Sequence, residues 1–134
     1  MVTSSFDYYA PTSVADALAL LDQHGDDAKL LAGGHSLIPL LKLRLATPAA
    51  LIDIGRLDEL KGISVTDGRV RIGALTTHAE LAASSDLAAR CPALAEAAGL
   101  IGDPAVRNRG TIGGSLANND PSACYPAAAL GSGA

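Results

Sequence analysis

Two pairs of adjacent glycines set the strongest limit on how this chain folds. Gly33-Gly34 lies in AGGHSLIPLLKLR, where a turn leads into an apolar run with helix-like spacing; Gly113-Gly114 lies in RNRGTIGGSLANNDPSACYP. Lacking Cβ atoms, such corners adopt turn geometries closed to other residues and let backbone amides approach a ligand closely. A helix starting there presents unpaired N–H groups, which with the helix dipole make a ready anion site. Two converging corners of this kind would grip the two phosphates of a dinucleotide. Taken alone, a glycine pair after a strand is most often only a turn.

The surrounding pattern is mixed. FDYYAP reads as a short strand that stops at Pro11, and SVADALALLDQHG as a helix. Its apolar positions Val14, Ala17, Leu18 and Leu21 have helical spacing, Ser13 and Asp16 form a capping-box variant, and Gly25 is the stop. AKLLAG and ALIDI read as buried strands on either side of the first glycine corner. Residues 1–56 thus read β-α-β-(turn-helix)-β, a small sheet with helical crossovers. The style changes near residue 57. GISVTDGRVRIGA is a hairpin about Asp67-Gly68, and Thr77 and Glu80 stand in capping-box spacing. Two Ala/Leu-rich helices divided at Pro92 follow, then the second glycine stretch as a loop, then a helix-like PSACYPAAAL. The expected organisation is an N-terminal α/β subdomain over 1–56 and a second subdomain over 57–134. One hairpin is too little sheet for its helices, so the second subdomain reads as incomplete and the chain as a fragment.

Composition narrows the function classes. Apolar residues make up 49% of 134 residues and charged ones 18%, enough for a core and too little charge for disorder. A net charge of −4 and 3% aromatics leave neither the cationic surplus nor the stacking platform that nucleic acid requires. No apolar run approaches the ~20 residues of a membrane span, and the N-terminus lacks a signal-peptide layout. Cys91 and Cys124 stand alone, so a disulfide framework, zinc site or iron–sulfur site within the chain is not expected. The expectation is a soluble cytoplasmic α/β protein. Neither a P-loop nor a GxGxxG fingerprint is present, and Asp53 reads as lying inside a strand rather than ending one as a ribose ligand.

The residues that remain carry a resemblance. LLAGGHSLIPLLKLRLATPAALIDIGRL and GDPAVRNRGTIGGSLANNDPSA closely resemble the FAD-binding medium subunit of the molybdenum hydroxylases, the carbon monoxide dehydrogenase and xanthine dehydrogenase type enzymes. The resemblance runs from Phe6 through essentially the whole chain. It implies an α/β (α+β) fold of the vanillyl-alcohol-oxidase, or PCMH, type, in which two subdomains clasp FAD. It further implies an oxidoreductase subunit that passes electrons from 2Fe–2S clusters of a small iron–sulfur subunit through FAD to an external acceptor. Hydroxylation would occur on a large molybdopterin-binding subunit that holds the molybdenum cofactor, the whole being a dimer of heterotrimers. Carried over by position, the FAD contacts are Leu31, Ala32, Gly33, Gly34, His35, Ser36 and Leu37, then Ile101, Thr111, Ile112, Gly113, Gly114 and Ser115. Ser115 stands where the family more often has Asn. Cys124 stands where many relatives have an Asp on the ribose or adenine side, which leaves Asp120 or a backbone group to compensate. No catalytic acid, base or nucleophile and no metal ligand is assigned.

Other residues have plainer readings. His24 complements the end of its helix, His78 is a surface residue at a helix start, and Tyr8 and Tyr9 are packing residues. Lys42 and Arg44 divide between a solvated face and a role at the flavin or a subunit contact. Arg107 and Arg109 pin the second glycine loop or meet a subunit, with direct phosphate pairing the lesser reading. Two other functions stay open: a stand-alone flavin oxidase of the same superfamily, which would need its own substrate domain, and a non-redox nucleotide-binding assembly module.

Overall fold

Three short strands, β1 (Asp7–Tyr9), β2 (Ala28–Leu31) and β3 (Ala50–Asp53), pair in parallel in the order β1-β3-β2. The central strand β3 is buried along Ala50, Leu51 and Ile52, as a parallel strand covered on both faces must be. The structure is a computed structural model describing residues 1–134. Its contacts divide the chain into two compact units, Met1–Asp58 and Glu59–Ala134.

In the first unit, β1 crosses to β2 through α1 (Val14–His24), and β2 crosses to β3 through α2 (Leu37–Lys42). The capping of α1 follows its sequence signals. Ser13 Oγ accepts the Asp16 amide at 3.1 Å, and Gly25, at φ 54°, donates to the Leu21 carbonyl. Leu18 departs from expectation, being 55% exposed. Ala17 is the position turned inward, and one residue step rotates about 100° around the helix. The Tyr9 and His24 rings meet at a 42° tilt with centroids 5.0 Å apart, whereas Tyr8 is exposed.

The second unit starts with an antiparallel hairpin, β4 (Ile63–Thr66) and β5 (Arg69–Ile72). Asp67 and Gly68 both take positive φ, 50° and 76°, as a type I′ turn demands. Ile63, Val70 and Ile72 lean on a core built from Leu81, Leu87, Leu94, Ala95, Ala98, Ile112 and Tyr125. These come from α3 (His78–Ala83), α4 (Ser85–Arg90), α5 (Pro92–Leu100), α7 (Ile112–Asn118) and α8 (Cys124–Gly131). The capping box of α3 is complete: Glu80 donates its amide to Thr77 Oγ1, and the Thr77 amide donates to Glu80 Oε2 at 2.7 Å.

Two elements depart from the expected loop. α6 (Pro104–Arg107) is a single turn, started by Asp103 Oδ1 accepting the Val106 amide, and is too short to show a period. α7 contains both glycines of its motif, which mask its helical character because glycine opposes helix formation by about 1 kcal/mol relative to alanine. No helix is long and apolar enough to cross a membrane.

Candidate functional site

The first glycine corner leaves the carboxyl end of β2. Crevices beyond the carboxyl ends of parallel strands are where open α/β sheets take ligands. Gly34 adopts φ 79°, which strains any other residue, and a Cβ there would also have to displace the tip of the Ile38 side chain, 2.6 Å away at Cδ1. Its carbonyl accepts the Ile38 amide at 2.9 Å, which bends the chain directly into α2. No acceptor within the protein takes the amide hydrogens of residues 33–37. The Ser36 side chain makes no capping bond and is exposed. The result is a consecutive run of available donors with one free hydroxyl beside them, matched to an anion. His35 folds back, its Nδ1 3.3 Å from the Gly33 carbonyl oxygen, and its ring is exposed.

Asp53 lies at the same end of the sheet, in register with Leu31. It is the last residue of β3, not an interior one as expected, because pairing with β2 ends there. Its carboxylate accepts the Tyr8 hydroxyl at 2.5 Å and the Gly55 amide at 2.9 Å, so both oxygens are engaged. That hydrogen bond, ahead of desolvation, raises the Tyr8 pKa above the usual value.

In the second unit the glycine corner is built differently. Thr111 caps α7, with Oγ1 accepting the Gly114 amide at 3.2 Å. The Ile112 amide donates to the Thr76 carbonyl at 3.1 Å, and the Gly113 amide to the Ala74 carbonyl at 2.9 Å. The expectation of a second bare amide cradle is therefore corrected: all three donors are spent within the unit, two on backbone carbonyls and that of Gly114 on the Thr111 hydroxyl. Glycine is needed at 113 for close packing, since a Cβ would stand 2.6 Å from both Ala74 Cβ and Ala74 O. What this corner can offer a ligand is side-chain chemistry, notably the half-buried Ser115.

Other residues of the second unit fall on either side of this corner. Ile101 ends α5, packs against the core, and lends its carbonyl to Arg107 Nη1 at 3.2 Å. The same guanidinium nitrogen reaches the Gly102 carbonyl at 3.1 Å, so Arg107 braces the segment before the corner, while Arg109 is exposed. Asp120 is exposed and uses Oδ1 to accept the Ser122 amide, leaving Oδ2 available. Cys124 is an exposed free thiol at the first turn of α8; Cys91 is a half-buried free thiol packed on the core.

His78 is corrected outright. It is 4% exposed, and its Nδ1 shares a 2.8 Å hydrogen bond with the hydroxyl of the fully buried Tyr125. Burial pushes the Tyr125 phenol above the ordinary tyrosine range. A helix-start position says nothing of what later packs over it, and here Gly110 and Tyr125, both far along the chain, lie against the ring. Gly110 was also passed over: a Cβ there would fall 2.5 Å from His78 Nε2. The readable signal was a third glycine directly ahead of the Thr111 cap.

Similarity to known proteins bears on this geometry. Residues 4–134 match the family model described as FAD binding domain in molybdopterin dehydrogenase. The chain belongs to that family. The carbon monoxide dehydrogenase medium chain of Hydrogenophaga pseudoflava is 55% identical over 130 residues, covering 97% of this chain and 45% of its relative. The 6-hydroxypseudooxynicotine dehydrogenase complex subunit alpha of Paenarthrobacter nicotinovorans is 49% identical, covering 97% and 44%. Among solved structures, reconstituted CO dehydrogenase from Oligotropha carboxidovorans superposes with a TM-score of 0.92 at 51% identity over 95% of this chain and 44% of that one. This FAD-binding domain thus spans under half the length of these relatives. Its mixed α/β elements are part of an FAD-binding fold, and FAD is the cofactor its family takes. The donor run at residues 33–37 fits the diphosphate of such a dinucleotide.

Proposed function

We propose that this chain forms the FAD-holding part of the medium subunit of a molybdenum hydroxylase, and that residues 32–37 bind the cofactor's diphosphate. The carrying observation is the run of amide hydrogens at 33–37 without an internal acceptor, at the carboxyl end of β2. Backbone donors of this kind hold a diphosphate without cationic side chains, which suits a chain of net charge −4. Leu31 and Leu37 frame the turn with apolar surface, Ser36 adds a hydroxyl, and His35 contributes chiefly through its backbone. By position in the family, Thr111, Ile112, Gly113, Gly114 and Ser115 are further FAD contacts, with Ile101 as an apolar neighbour. Asp120 Oδ2 and the Cys124 thiol serve the ribose or adenine side.

Bound FAD supplies the redox chemistry through its isoalloxazine ring; the protein binds, orients and tunes it. In this role the subunit receives electrons from 2Fe–2S clusters of a small partner and delivers them to an external acceptor. Hydroxylation belongs to a large subunit bearing the molybdenum cofactor. A dimer of heterotrimers in the cytoplasm is the assembly that fits.

Titration with FAD and with riboflavin, followed by flavin fluorescence, tests this. Riboflavin lacks the diphosphate, and losing two or more charge-assisted hydrogen bonds should weaken binding at least about a hundredfold. Equal affinity for the two would remove the diphosphate assignment. Substrate oxidation by this chain alone would instead indicate a self-sufficient oxidase, and absence of any flavin binding a non-redox module.

A further inference from the structure

His78 and Tyr125 are both buried in the second unit, and the electron-transfer role uses neither side chain. Tyr125 has no exposure, His78 has 4%, and a 2.8 Å hydrogen bond joins hydroxyl to Nδ1, with ring centroids 5.2 Å apart. Burying such groups costs free energy that an aliphatic pair would avoid, whereas a satisfied buried bond fixes one geometry among several packings.

The connections on each side show what is fixed. The His78 amide donates to the Gly110 carbonyl at 3.0 Å, and its ring occupies the space a Gly110 side chain would need. Gly110 leads directly into Thr111, which bridges antiparallel to Thr77 and caps α7. Tyr125 follows directly on Cys124, at the start of α8. Burial raises the phenol's pKa and so favours its protonated form.

The geometry points to His78 and Tyr125 as positioning residues: their hydrogen bond sets the separation between segment 110–115 and segment 120–124, and so adjusts FAD affinity without either side chain touching the cofactor. This rests on the FAD-binding role proposed above.

The test compares Tyr125→Phe, which deletes only the hydroxyl, with wild type by FAD titration and by the visible spectrum of the bound flavin. Leu87→Ala, in the same core but bonded to neither segment, controls for general loss of stability. Expected is about five- to tenfold weaker FAD binding in Tyr125→Phe, the scale of one buried hydrogen bond, with a changed flavin band shape. Leu87→Ala should lower the melting temperature yet leave the affinity of the folded fraction unchanged. His78→Asn, whose amide can replace Nδ1, should recover part of the affinity that His78→Leu loses. Wild type must also show its His78 imidazole resonances moving on FAD saturation while those of His24 stay put, a reading that holds even if the variants fold poorly. Wild-type affinity and spectrum in folded Tyr125→Phe, or unmoved His78 resonances, would overturn the inference. Failure of wild type to bind FAD would instead remove the function on which it rests.

Discussion

Gly113 donates its amide hydrogen to the Ala74 carbonyl at 2.9 Å, and Ala74 already fills the space where a Gly113 side chain would begin. The second glycine motif is thus first a joint within its own unit. The prediction follows directly. Gly113→Val should destabilise the second unit by about 1–3 kcal/mol or more through overpacking against backbone. Thermal unfolding without any FAD should show the loss; an unchanged melting temperature would mean the α7 joint is looser than the contact implies.

Gly34 makes the opposite case, because its surroundings can yield. The obstructing atom is the far end of the Ile38 side chain, but φ 79° penalises any L-residue. Gly34→Ala should cost about 1–2 kcal/mol and also weaken FAD binding. Adding Ile38→Val should relieve the crowding and leave the backbone cost. Urea titrations of the single and double variants measure both parts.

The capping box on α3 is exposed on one side yet opens the helix that carries His78. Thr77→Ala removes the acceptor for the Glu80 amide and should cost about 1 kcal/mol. Thr77→Ser should restore nearly all of it. Denaturant midpoints decide, and equal stability of Ala and Ser variants would show the box to be idle.

Alkaline pH offers a fourth check. The Tyr8 phenol is raised chiefly by its hydrogen bond to Asp53, and the Tyr125 phenol chiefly by burial. A raised folded-state value means the fold favours the protonated phenol. Its contribution is complete below the ordinary tyrosine value of 10.0 and is lost as pH climbs through the folded value, since the unfolded chain ionises first. Circular dichroism during urea unfolding should show a flat neutral region and a decline above that point. Tyr125→Phe should remove much of the decline, and the exposed Tyr8 should matter less. A decline identical in Tyr125→Phe would assign it elsewhere.

Much of the local architecture was readable because its causes are local. Ser13 and Gly25 bound α1, Asp67-Gly68 turns the hairpin, and Thr77 with Glu80 starts α3, each through bonds spanning four residues or fewer. The long motifs around Gly33 and Gly113 carried the family, which the match over residues 4–134 bears out. Less legible were Leu18, exposed by one step around a helix, and Asp53, which ends β3 only because β2 stops pairing there.

By itself, then, the sequence determined where the backbone must turn and, α6 and α7 apart, which segments become strand or helix, since φ preferences, caps and apolar spacing act over a few residues. Only the tertiary structure decided which turn keeps its amides. Gly113 spends its hydrogen on Ala74, thirty-nine positions away, while residues 33–37 meet no acceptor at all. It likewise took the arrival of Tyr125, at the start of α8, to turn His78 from a surface residue into half of a buried pair. Such pairings depend on which distant groups arrive at a given place, and no local preference encodes that.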